Sequence, residues 1–158
     1  MAVDMFLKID GVEGESTDDK HKGEIEILSF SWGVSQSGGF GPGGGAGKVS
    51  SNDFAIVKRL DKATPQLLEK VCQGEHIGSA LLTLAKAGGD HRQEYLKIKL
   101  TDIIISSYQT SGASSGEPAE QVSFAFQSVE VSAAEIRQDG SIGGWKETAG
   151  CHFGGKVR

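Results

Sequence analysis

The sequence predicts a mainly β fold: a closed or nearly closed β-barrel of bent antiparallel strands, with one short docked α-helix at about residues 64–74. Three observations predict it. Glycine supplies 23 of 158 residues, about twice its average share of roughly 7%. That surplus suits a chain of many turns and weakens helix interiors. Short segments alternate apolar and polar side chains with the period of a strand. Three of the longer ones change phase midway, as strands do at bulges, and a barrel needs bent strands to turn its corners. The length fits a single domain over residues 1–158, large enough to bury a core without metals or disulfides.

The elements follow in order. Residues 5–9 read as a strand with Met5, Leu7 and Ile9 on one face. A polar loop carrying Glu13, Glu15, Asp18 and Asp19 follows, and its acids read as a solvated face. Residues 24–35 read as one bent strand: Ile25 and Ile27 share a face, Phe30, Trp32 and Val34 take the other parity, and the break near Leu28 marks a bulge. Residues 35–47 form a glycine-rich extended loop. Strands are expected at 54–60 and 80–86. Between them Thr64 is the expected N-cap, Pro65 takes the first helical position and Gly74 closes the helix. Leu67, Leu68, Val71 and Cys72 make its apolar stripe, which places Cys72 in the core as an inert thiol. Two long strands at 94–108 and 121–132 each change phase, after Leu100 and after Phe126, and residues 110–119 read as a Ser/Gly-rich linker between them. The tail, 146–158, turns glycine-rich and leaves Cys151 open to exposure.

Charge and motifs narrow the function. Net charge is −5, with 16 basic and 21 acidic residues. No basic stripe interleaved with aromatics offers a nucleic-acid footprint, and no cationic face or long apolar segment offers membrane insertion. The amino terminus lacks the charged and apolar regions of a cleaved signal, so a cytoplasmic protein is expected. Residues 39–44 match G-x-G-x-x-G, but a phosphate loop must open a helix, and residues 49–53 lead into a strand. For a Walker loop, Pro42 stands at the first required glycine and Val49 at the required Ser or Thr. Cys72, His76, Cys151 and His152 lack the spacing of a zinc site. There is no nucleophile elbow and no cysteine in a catalytic setting. No catalytic, cofactor or metal residue is assigned, and an enzyme is not expected. In the strand around residue 30, Ser29 and Ser31 lie opposite Phe30 and Trp32. A small uncharged row of that kind suits a barrel wall facing a wet, non-sticky space.

Several segments together resemble one family. They are residues 1–9 (MAVDMFLKI), Gly14-Glu15-Ser16, and Ser31-Trp32-Gly33-Val34-Ser35-Gln36-Ser37-Gly38. Asp61-Lys62-Ala63-Thr64-Pro65, Lys86-Ala87-Gly88-Gly89, Glu94-Tyr95-Leu96 and Gly144-Trp145 continue the match in order along nearly the whole chain. The chain resembles the Hcp (haemolysin-coregulated protein) family, the inner tube proteins of type VI secretion. That resemblance implies a homo-oligomer: hexameric rings stacked into a tube, with a spike protein, a contractile sheath and effector proteins as partners. It also implies assembly in the cytoplasm and export without a cleaved signal. In that setting the loop Gly38, Gly39, Phe40, Gly41, Pro42, Gly43, Gly44 and Gly45 becomes the expected ring-stacking arm, and Ser29 and Ser31 the expected lumen lining. The alternative is a monomeric barrel that binds a small ligand or chaperones an effector.

Overall fold

The computed structural model describes residues 3–38, 49–86, 93–139, 141–148 and 150–153. In chain order the elements are β1 (Val3–Ile9), β2 (Ile25–Glu26), β3 (Ser29–Ser31), β4 (Val34–Gln36), β5 (Val49–Ser51), β6 (Phe54–Arg59), α1 (Ala63–Gln73), β7 (Ile77–Lys86), β8 (Gln93–Ala113), β9 (Gly116–Ile136), β10 (Ile142–Glu147) and β11 (Cys151–His152). Every pairing among them is antiparallel, and the main sheet runs β2-β1-β7-β8-β9-β6-β3, with β10 and β11 also on β9.

The two ends of that order are joined by two residues. β2 pairs with β1 at one edge and β3 pairs with β6 at the other. Between them the Ile27 amide donates to the Met5 carbonyl of β1 at 3.1 Å, and the Leu28 amide donates to the Val57 carbonyl of β6 at 2.7 Å. One turn of backbone thus ties both edges together, curling the sheet into a closed or nearly closed barrel. This corrects the single bent strand expected over residues 24–35, which divides into β2, β3 and β4 with three different partners. The phase change at Leu28 marks a change of partner rather than a bulge.

β8 and β9 form one hairpin whose strands each run 21 residues. Their phase changes fall on one rung. Leu100 pairs with Val129 and Ile103 with Phe126, and all four pack in the core although the inward parity switches between the two pairs. Asp102, at the switch, holds a left-handed φ of 55°. The supposed linker at 110–119 is corrected to the end of this hairpin: Thr110 pairs with Glu120, Ser111 with Ala119 and Ala113 with Gly116. Ladder bonds come from the backbone, so a polar sequence can carry them.

Inside the barrel lie Leu7, Ile25, Phe54, Ile56, Leu82, Ile103 and Val122, all nearly inaccessible. Helix α1 lies against β8 and reaches this core through Ala63 and Leu67. Its start differs from expectation. Lys62 occupies the cap position with no side-chain cap, the Asp61 carboxylate accepts the Ala63 amide at 2.9 Å, and Thr64 sits inside the helix. Gly74 closes it at φ 60°, where a glycine is favoured. Cys72 is exposed rather than core, as is Leu68, because so short a helix docks by one narrow row of side chains. In the tail, β10 extends to Glu147 and β11 brings Cys151 half-buried against the core.

Asp102 supplies a test of the bend. Asp102→Gly removes the left-handed strain and is expected to leave stability unchanged or raised by up to about 1 kcal/mol, whereas Asp102→Val is expected to cost about 1–3 kcal/mol. Urea unfolding of the two variants reads the difference.

Candidate assembly surface and the polar network behind it

The wall around Ser29 and Ser31 builds up from strand register, because directly paired residues share a face of the sheet. Ser31 pairs with Ala55, Ala55 with Ser123 and Ser123 with Ser107; Ser29 pairs with Val57, Val57 with Gln121 and Gln121 with Gln109. Two adjacent rungs therefore cross four strands, β3, β6, β9 and β8, without one charged side chain. Ser29, Ser31, Ser107, Gln109 and Gln121 are exposed, while Ala55, Val57 and Ser123 are half-buried. Charges begin only beyond the rungs, where Arg59 pairs with Glu117 at 2.7 Å and Asp53 accepts the Ser106 hydroxyl at 2.6 Å. Ser29 and Ser31 were legible as outward residues of one strand. The other members were not, since only the pairing brings them into line.

Behind this wall, on the inward parity of the same strands, sits a buried ion pair. Lys58 of β6 and Glu120 of β9 are direct cross-strand partners, and both side chains are wholly buried. The Lys58 ammonium donates to Glu120, to the Asp61 carboxylate at 2.8 Å and to the Arg59 carbonyl at 3.0 Å. Glu120 also accepts from the Thr64 hydroxyl at 3.0 Å and from the Tyr108 hydroxyl. Burial, then the hydrogen bond and negative charge of Glu120, push the Tyr108 phenol up to about 12. The network ties β6, β8, β9 and the entry of α1 to one carboxylate. Among the described residues every buried side-chain nitrogen and oxygen has a partner. Sequence reasoning missed this pair, although a signal existed: Lys58 continues the inward parity of Phe54 and Ile56, and Glu120 that of Val122 and Phe124.

Of the expected ring-stacking residues, Gly38 is exposed just after β4, and Gly39, Phe40, Gly41, Pro42, Gly43, Gly44 and Gly45 lie outside the described residues. β4 and β5 pair as a two-stranded ribbon separate from the main sheet. Trp32 anchors it, donating its indole N–H to Ser51 Oγ at 2.8 Å while its ring packs on Phe54 and Phe126. Val34 on the ribbon is 45% exposed, an apolar side chain left outside the core. The chain from Val49 onward is the strand β5, whereas a phosphate loop requires a helix at that point. Cys72 on α1 and Cys151 on β11 sit on different elements, and no group of three potential metal ligands gathers among the described residues.

Comparison with known proteins agrees with this architecture. A family model described as "Type VI secretion system effector, Hcp" matches residues 6–132. The chain is 46% identical over 148 residues to the protein hcp1 of Pseudomonas aeruginosa, covering 91% of each. It is similar to the crystal structure of Hcp1 from Salmonella typhimurium, with a TM-score of 0.81, 39% identity, and coverage of 97% of this chain and 96% of that one. A type VI secretion system effector from Yersinia pestis matches with a TM-score of 0.75 and 35% identity, covering 94% of this chain and 99% of that one.

The buried network generates two expectations. Lys58→Met strands the Glu120 charge and is expected to cost about 3–5 kcal/mol in urea unfolding, while the double variant Lys58→Met/Glu120→Leu recovers much of that loss because no charge is left buried. In an alkaline absorbance titration, Tyr108 is expected to ionise near pH 12. Its folded value lies above the ordinary value of about 10, so its stabilising contribution is complete below about pH 10 and fades as pH rises toward 12.

Proposed function

The chain belongs to the Hcp family of the type VI secretion system, and we propose that it serves as a structural subunit of the secretion tube, not as an enzyme. Subunits close into a hexameric ring, rings stack, and effectors travel in the channel. The observation that carries this reading is the uncharged wall centred on Ser29 and Ser31. Serines and glutamines from β3, β8 and β9, with only the half-buried Ala55 and Val57 of β6 between them, offer hydrogen bonds to water and no fixed charge, so a passing protein meets no large apolar patch and no ion partner. We place that wall toward the lumen. The glycine-rich segment is flanked by β4 and β5, which pair as a ribbon of their own outside the main sheet, and a segment carried in that way suits an arm that reaches the next ring. A ring further requires a head-to-tail contact that closes after a fixed rotation. In this reading the subunit is assembled in the cytoplasm and leaves through the machine without a cleaved signal. Its partners are other copies of itself, the spike protein, the sheath and effectors; no nucleic acid and no membrane insertion is involved. No helix among the described residues is long and apolar enough to cross a membrane.

A second reading, a monomeric barrel that binds a small ligand or chaperones an effector, has one observation in its favour. Beside the Ile27–Leu28 corner lies an open groove of about 380 Å³ lined in part by Val3, Met5, Leu28 and Leu60.

Mass in solution separates the two. The tube reading expects a particle of about 100 kDa, six times the 16.6 kDa chain, and a strictly monomeric mass at high concentration favours the second. Shortening residues 38–47 is expected to leave rings intact and to weaken end-to-end stacking in electron micrographs; normal stacking would show that the loop is not the arm. Ser31→Arg is expected to spare the ring and alter effector retention, whereas loss of the ring would place Ser31 at a subunit contact.

A further inference from the structure

The excursion between β1 and β2, residues 10–24, is not the loose solvated loop its composition suggests. Gly14 donates its amide to Gly23 O at 2.8 Å, Ser16 to Glu24 O at 3.0 Å and Gly23 to Ser16 O at 2.8 Å, so the segment folds on itself. Gly14 lies so close to the Glu24 carbonyl that a Cβ would collide with it. Gln66 of α1 clamps one end, accepting the Glu13 amide and donating to the Glu13 carbonyl, both at 3.0 Å.

The other end is held by His21, whose residue is 8% exposed. Its imidazole stacks on Phe6 of β1, with centroids 4.5 Å apart and planes 7° from parallel. Nδ1 faces both oxygens of Glu24 at 3.0 Å, and Nε2 faces Glu94 Oε1 of β8 at 2.7 Å. Among the described residues, the charged groups bonded to the ring are Glu24 from the excursion and Glu94 from β8, with Lys97 of β8 paired to Glu94 at 3.4 Å; Asp4 and Lys8 of β1 share the face of the Phe6 ring, and Glu26 of β2 is the cross-strand partner of Phe6. An ionised carboxylate only accepts hydrogen bonds, and a neutral imidazole donates from one nitrogen only. Two carboxylates on two ring nitrogens call for the imidazolium.

We propose that His21 is a protonation-gated latch: while its ring carries both protons it pins residues 10–24 to β1 and β8, and when it loses one the pinned end opens. The sign is set by the donors. Raising the pH removes a ring proton, leaves a lone pair facing a carboxylate and turns attraction into repulsion, so the latch weakens as pH rises. At the acid end it stays closed for longer, because burial raises the Glu94 carboxyl but the His21 hydrogen bond and the Lys97 charge outweigh it and hold it below the usual range. Glu94 therefore stays ionised to lower pH than an ordinary glutamate does. The latch acts within one chain and stands whether or not the tube reading holds.

Hydrogen exchange of the full-length protein tests it. Protection of the Gly14, Ser16 and Gly23 amides, corrected for the intrinsic rate, is expected to fall about ten- to a hundred-fold as the pH is raised. Amides in the β7–β8 ladder should hold steady. In His21→Gln the loop protection becomes low and independent of pH, and in Glu94→Gln the fall with pH becomes smaller, because Nε2 no longer meets a charge. Nitrogen shifts of the His21 ring should report imidazolium while the loop is protected. Protection that is flat with pH in the unaltered chain, a pH response unchanged by Glu94→Gln, or a neutral ring in the protected state would each overturn the latch.

Discussion

Two consecutive amides, Ile27 and Leu28, donate to opposite edges of one sheet, and the rest of the molecule depends on that corner. Without it the order from β2 to β3 is an open, twisted ribbon with two free edges, which invite pairing with other chains. With it, the inward faces of β1, β6, β7, β8 and β9 enclose a common core, and the outward faces become a continuous wall. The corner also sets the wall's chemistry. It turns β3 so that Phe30 points inward and Ser29 and Ser31 outward, beginning the uncharged rungs that β6, β9 and β8 continue.

The Lys58–Glu120 pair secures the barrel a short distance away. Burying two charges carries a desolvation penalty, and apolar residues of similar volume are often as stable. What the pair adds here is geometry. One carboxylate receives bonds from β6, β8 and the first turn of α1, while Asp61 receives Lys58 and the Ala63 amide together. A helix too short to be stable alone is thereby given a start point as well as a docking face.

Much of the fold was legible because alternation reports which way a side chain points. It foretold strands at β1, β6 and β7 and the bends of β8 and β9, while glycine marked the end of α1 at Gly74. Alternation is silent about partners, however. The phase break at Leu28 looked like a bulge because sequence shows the change of face and not the change of neighbour. Residues 110–119 looked like a linker because small polar side chains conceal a ladder made of backbone bonds. Cys72 looked buried because a helical stripe gives a direction but not how wide a contact the helix makes. The candidate site shows the same division. Ser29 and Ser31 could be read as outward from one strand, yet Ser107, Gln109, Gln121 and Ser123 join them only through register. Lys58 and Glu120 were visible at inward parity, but that parity alone does not join them.

The order of the strands along the chain also has a consequence for synthesis. β1 finds its main partner in β7, and β3 rests on β6, which in turn rests on β9. The amino-terminal third therefore leaves the ribosome with only the short β1–β2 and β4–β5 pairs within its reach. Roughly 90 residues separate β3 from the part of β9 that supports β6, and at about 5–20 residues per second that wait lasts on the order of 5–20 s. During it, Phe30, Trp32 and Phe54 stand unburied. The β8–β9 hairpin joins strands that are neighbours in the chain, so its closure is the least dependent on distant segments, and it offers the ladder to which β6 and β7 pair directly.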